Sequence, residues 1–288
     1  MSPSTTDLRT ALKNLDSLPA MPLIAQKLLA VQTDTEEGQR QMLALIEQDA
    51  QILAKIIGLA NSPIMGANRK ISSINEAALI LGFNRIKTVA TGIALMSVQA
   101  AANPNALNQH DLWMHNLGIA FAMMAVSRAM PRKLRPQDDM VFLAGMLHDI
   151  GYIALAHLDP VRSNELHTYQ AANPKRPVLD IEKSLLEICH DELGAELAKH
   201  WSLPQEIISV IRYHHQPDAA DAPQDQPLIR MVYIAEIMLP SFGMGEHVDA
   251  GIHDSDWEAL GISPSNAEEI VLQAAEQADQ AAAFAASM

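Results

Sequence analysis

Apolar residues in this chain recur at helical spacing, and they are of the wrong kind for sheets. Met42, Leu45, Ile46, Ile52, Leu53, Ile56 and Ile57 repeat three to four positions apart, the period of one buried helix face. Of the 288 residues 49% are apolar, yet only 4% are aromatic. Ala, Leu, Ile and Met carry the hydrophobicity, whereas strands enrich β-branched and aromatic side chains. No strand and no internal repeat stands out. The expectation is an all-α protein with enough chain for a substantial core.

Breaks between the helices are legible as local chemistry. Leu18-Pro19-Ala20-Met21-Pro22 launches a helix through Leu23, Ala25, Leu28 and Leu29. Asp49 is placed to cap the second half of the 42–57 stretch. Ser73-x-x-Glu76 has the form of a capping box, and Gly82 is a suitable end for the helix it opens. Further helices are expected from Asn84, from about Asp111 to Met130, around Phe142 to Leu147, and over 228–240. Ser202-x-x-Gln205, with Pro204 in the first turn, reads as the start of a helix reaching His214. Residues 102–110 suit a subdomain boundary, Gly243 to Ser263 reads as irregular, and an Ala/Gln-rich helix from about Asn266 closes the chain as a packing or oligomerisation element.

The formal charge of −14 argues against broad phosphate-driven nucleic-acid binding, which needs a basic footprint. Two helices joined at Gly82 could form a helix-turn-helix carrying Arg69, Lys70, Arg85 and Lys87, but that positive surface is narrow. The N-terminus is polar, and the apolar stretch near Val89 to Ala102, read as the longest, is too mixed for a membrane span. Cys189 is the single cysteine, which suits a reducing compartment, and a cytoplasmic protein is expected. Nothing points to an organic cofactor, and the sequence sets no oligomeric state.

Two sets of motifs resemble a known family. In the first half, Glu47-Gln48-Asp49, Leu59-Ala60-Asn61-Ser62, Ile71-Ser72-Ser73 and Leu81-Gly82 follow one another in the order seen in HDOD domains. Taken alone, these residues also suit plain capping of helix ends. In the second half, Leu147-His148-Asp149-Ile150-Gly151 resembles the His-Asp motif of the HD superfamily of metal-dependent phosphohydrolases. Together the matches span roughly residues 15 to 240.

The resemblance implies an N-terminal helical subdomain (1–105) packed on an HD-type helical core (106–240), with a C-terminal extension (241–288). It implies a ligand set of His115, His148, Asp149, His190, His214 and Glu236 for a divalent transition metal such as Mn, Fe, Ni or Zn, with His215 and Tyr152 just outside it. Glu236 stands where the family has aspartate. Tyr152 stands where the active phosphodiesterases carry lysine, and Gln216-Pro217 follows His214-His215 in place of their Gly-Tyr-Pro. Taken singly, each histidine equally suits a polar core or surface position, and Cys189 an inert buried thiol. His110, His157, His167, His200, His247 and His253 fit no pattern, and Trp113 and Trp201 suit core packing.

HDOD domains are regarded as signalling or response-regulator output modules. The resemblance therefore implies a regulatory module acting on a protein partner, gated by a metal or ligand. Its rival is a metal-dependent phosphohydrolase acting on a nucleotide or cyclic nucleotide. Because the resemblance starts near residue 15, no receiver domain is expected ahead of it. The chain would then stand alone or be the output part of a longer protein.

Overall fold

Three helix starts in the first half are fixed by a side chain lying one residue outside the helix. A computed structural model of the chain describes residues 8–13, 17–62, 70–98, 109–223, 226–239 and 251–286. After α1 (Leu8–Lys13) and α2 (Leu23–Ala30), Thr35 opens α3 (Glu36–Glu47) by accepting from the Gly38 amide. Asp49 opens α4 (Ala50–Ala60) by accepting from the amides of Gln51 and Ile52. These bonds satisfy donors that a helix start leaves free. Asn61 closes α4 and ties down the incoming chain: its Nδ2 donates to Ile57 O and Ile71 O, and its Oδ1 accepts from the Ile71 amide at 2.7 Å.

Ser73 caps α5 (Ile74–Leu81) through the Glu76 amide, as expected. The reciprocal arm of Glu76 reaches one residue further back, to the Ser72 amide at 2.8 Å. Gly82 then takes φ +85°, a conformation that glycine tolerates, and α6 (Phe83–Met96) leaves at 117° to α5. The basic residues of this pair are engaged. Arg85 bonds Asp138, and Lys87 donates to Leu29 O and to Val31 O at the end of α2. Arg69 lies outside the described residues.

The second half is built from α7 (Gln109–Ala129), α8 (Asp138–Leu147), α9 (Ile150–Leu158), α10 (Pro160–Ala172), α11 (Val178–Leu186), α12 (His190–His200), α13 (Gln205–Tyr213) and α14 (Pro227–Met238). Helix α7 packs on α8, α9 on α12, and α12 on α13, while α6 against α8 joins the halves. Residues 138–158 are long and apolar enough to cross a membrane, but 89% of that window is buried inside the protein. This run, not 89–102, is the apolar one; it is the central layer of the bundle. Among the described residues no strand occurs.

Gly151 is required by close approach. A Cβ there would sit 1.8 Å from His190 O, and Gly194 faces it from α12. The backbones of α9 and α12 therefore touch with no side chain between them.

Three local expectations are corrected. Ser202 does not cap α13. It adopts φ +52° after α12, where its amide donates to Lys199 O while the Leu203 amide donates to Ala198 O. That pair is a Schellman stop, which buries Leu203 and leaves α13 to start after Pro204 without a side-chain cap. The 243–263 region is not wholly irregular, because α15 (Asp254–Ala259) lies within it. Asp256 makes this possible by accepting from the His253 amide and from Arg230. The closing helix, α16 (Ala267–Ala286), lies along α7 and buries Ile270, Ala274, Ala278 and Ala281. The boundaries near 105 and 240 fall outside the described residues. Trp113 and Trp201 are core residues, and Trp201 Nε1 donates to Pro19 O.

Candidate metal centre

The break between α8 and α9 is the pivot of the site. His148 ends α8, and Asp149 occupies the position before α9 but makes no side-chain cap. Both side chains are fully buried. Four other elements converge on them: His115 from the middle of α7, His190 as the first residue of α12, His214 and His215 just past α13, and Glu236 from α14. The structure thus brings together all six residues of the expected ligand set, drawn from positions 121 residues apart.

The side chains form two groups that share Asp149. In one, His115 Nε2 lies 3.2 Å from His148 Nε2 and 3.1 Å from Glu236 Oε1, which is 2.7 Å from His148 Nε2. In the other, His190 Nε2 lies 3.2 Å from His214 Nε2 and 3.1 Å from His215 Nε2. Asp149 Oδ2 faces the first group, 3.4 Å from His115 and 3.3 Å from His148. Its Oδ1 faces the second, 3.3 Å from His190 and 3.6 Å from His214. His215 is therefore a full member of a group, not the outlying residue expected. Tyr152 stays outside, stacked on the His190 ring at 4.5 Å and 14°.

Hydrogen bonds on the far side of the rings fix which nitrogen points inward. His148 Nδ1 is 2.8 Å from Gly145 O, and His214 Nδ1 is 2.9 Å from Ile211 O. A carbonyl only accepts, so each Nδ1 carries the proton and donates. In the neutral ring Nε2 is then left with its lone pair toward the cluster. His190 Nδ1 is held at 2.9 Å by Glu182, a fully buried carboxylate on α11.

Electrostatics divides the same residues. Burial opposes charge on His148, but Asp149 and Glu236 outweigh it and lift its pKa to about 9. His115 is likewise raised against burial, by Glu236 and Asp149. Asp149 and Glu236 are held well below the usual carboxylate range despite burial, through the neighbouring imidazoles. His214 moves the other way: burial, then His215, His148 and His190, push it down.

These residues fit a metal ion. Both oxygens of Asp149, and Glu236 Oε2, are buried and accept no hydrogen bond. A buried acceptor without a hydrogen bond costs about 1–3 kcal/mol, and here only the charge of the nearby imidazoles offsets it. Nitrogen ligands about 2.0–2.1 Å from a tetrahedral ion stand about 3.3 Å apart, close to the spacings in both groups. Imidazole with carboxylate suits divalent transition metals.

Glu182 escaped the sequence reading, because an acidic residue in the amphipathic Val178–Leu186 stretch carries no mark of burial. Glu187, left-handed at φ +63°, ends α11, and Glu182 on that helix meets His190 at the start of α12. Among the remaining histidines, His167 packs against Tyr152 at 5.6 Å, behind the cluster. Burial pushes the Cys189 thiol up to about 12, so it is an inert neighbour. Arg212 and Arg230, the basic residues nearest the ligands in sequence, are engaged by Asp191 and by Asp218 with Asp256.

The family model for the HDOD domain matches residues 18–217. An uncharacterized protein of Treponema pallidum (strain Nichols) is 27% identical over 241 residues, which cover 82% of this chain and 45% of the relative. The chain thus spans less than half the length of that curated relative. A crystal structure of an HDOD domain protein of unknown function from Geobacter sulfurreducens is 26% identical with a TM-score of 0.69, covering 94% of this chain and 99% of the other. That of a "Putative signal transduction protein" from Marinobacter aquaeolei VT8 is 23% identical with a TM-score of 0.77, covering 97% and 64%.

Proposed function

This chain belongs to the HDOD domain family, and from that premise we propose that it is a signal-transduction module that acts by binding a protein partner and is gated by a divalent transition metal. The observation that carries this reading is enclosure. His115, His148, Asp149, His190 and His214 are at most 2% exposed, and only His215 reaches partial exposure. A nucleotide-sized substrate needs an open path to the reacting water, and among the described residues these side chains present almost no surface to one. The place of a phosphate-binding lysine is taken by Tyr152, itself buried against His190. The HDOD family match over residues 18–217 supports the same assignment.

When bound, a metal here would supply charge and a fixed geometry linking α7, α9, α12, α13 and α14. His115, His148 and Glu236 would hold one ion, and His190, His214 and His215 another, with Asp149 between them. The residues themselves orient the ligands and exclude water.

A specific feature favours the rival, a metal-dependent phosphohydrolase: a carboxylate shared between two ligand groups is the layout that two-metal phosphoryl hydrolysis uses. The test is the metal content of the purified protein, followed by phosphodiesterase assays with added manganese on wild type and His148→Ala. The regulatory module is expected to bind metal and show no turnover. Turnover that disappears in His148→Ala overturns it.

A further inference from the structure

The two ligand groups differ in what stands behind them. Behind His148 and His214 are neutral backbone carbonyls. His115 Nδ1 is buried and has no hydrogen-bond partner among the described residues. Behind His190 is the Glu182 carboxylate, whose oxygens lie 2.9 Å from Nδ1 and one of which also accepts from the His190 amide at 2.9 Å. Tyr152 stacks on one face of the same ring, and His215 meets it edge-on at 4.9 Å.

Glu182 is an expensive residue to place there. It is fully buried, and burying a carboxylate costs several kcal/mol unless it is paired. Among the described residues, both of its hydrogen-bonding partners belong to His190. A carboxylate behind an imidazole fixes the tautomer and raises the basicity of the inward nitrogen more than a carbonyl does. Donor chemistry reinforces the difference. The His190 group offers three imidazoles and Asp149 Oδ1, while the His115 group offers two imidazoles, Glu236 and Asp149 Oδ2. Nitrogen-rich sets favour zinc and nickel, and added carboxylate favours manganese.

We propose that Glu182 is a positioning residue that makes the His190–His214–His215 centre the high-affinity one, so that metal enters there first and the His115–His148–Glu236 centre fills second. This rests on the reading above that the cluster takes metal. The two ions need not be alike.

The test uses the full chain stripped of metal and titrated with zinc by calorimetry in the presence of a competing chelator. Cobalt absorption provides a second readout of the ligand field. Wild type is expected to bind in two resolved steps. Glu182→Gln should weaken the tight step by about 10–100-fold and leave the weak one, Glu182→Asp should restore part of the loss, and His115→Ala should remove only the weak step. Circular dichroism identifies a variant that fails to fold; if Glu182→Gln does so, Glu182→Asp decides through the shift of the tight step alone. A tight step unchanged within about twofold in the folded variant, or one lost in His115→Ala, overturns the proposal and leaves the metal-gated reading standing. Wild type that binds neither zinc nor cobalt removes both.

Discussion

Asp49 and Asp149 occupy the same kind of position, one residue ahead of a helix, in the two halves of the molecule. Asp49 takes the nearest available bonds, accepting from Gln51 and Ile52 amides at 3.0 Å. Asp149 leaves the cap of α9 unmade and turns both oxygens into a nest of imidazoles, where neither accepts a hydrogen bond. The contrast extends to their surroundings. Asn61, Ser73 and Lys87 close hydrogen bonds to backbone groups around them. His115, His148, His190 and Glu236 are buried together, far apart in sequence. A polar side chain held back from its cheapest local bond, at the cost of desolvation, is a stronger pointer to function than its residue type.

The largest expected effect tests whether the second half depends on backbone contact. Gly151→Ala would press a methyl group into His190 O, which cannot move without α12. We expect loss of more than about 3 kcal/mol, read as a lowered denaturation midpoint or failure to fold. Asp149→Asn should leave a folded chain that retains no tightly bound metal at either centre, measured by metal analysis after dialysis. A variant that still holds two ions would remove Asp149 from its shared role. Asn61→Ala should cost about 1–3 kcal/mol in chemical denaturation, since the Ile71 amide and carbonyl lose their Asn61 partner, with metal content unchanged. Asp49→Ala should cost about 1 kcal/mol and likewise leave metal uptake alone; if it lowers metal content, the halves are not separable in this way. The smallest effect belongs to Cys189. With its thiol pushed up to about 12 by burial first and then by Glu182 and Asp191, it should resist alkylation at pH 8 until the second half unfolds. Labelling of the native chain at the rate of a free thiol would contradict this.

Much of the fold was legible because its signals are local. Apolar spacing, Asp49, Ser73 and Gly82 each act within one turn of where they stand in the chain. The failures have local causes too. Ser202 looks like a cap in sequence, but the chain needs a left-handed residue there to stop α12 and bury Leu203. Asp256 organises α15 through Arg230, a partner 26 residues away that no window contains. The candidate site was legible in a different manner. No spacing rule links His115 to Glu236; only their order, set against that of a known family, suggested that they meet. Glu182 had neither a local pattern nor a place in that order, and His215 was assigned a lesser place than its 3.1 Å approach to His190 gives it.

The contact of Gly151 with α12 has a bearing on which ions the cluster would admit. Asp149 stands two residues before that contact and His190 supplies one of its atoms. A similar abutment holds Gly145, at whose Cβ position Ala120 Cα would be only 2.4 Å away. Helices that carry the ligands are thus held by main-chain atoms in mutual contact, which yield far less readily than side chains. Calcium, which takes six to eight oxygens at about 2.3–2.6 Å, would find too few oxygen donors in groups built mainly of imidazoles. Close backbone packing at Gly151 and Gly145 would in this way add to the donor chemistry in favouring ions of zinc's size.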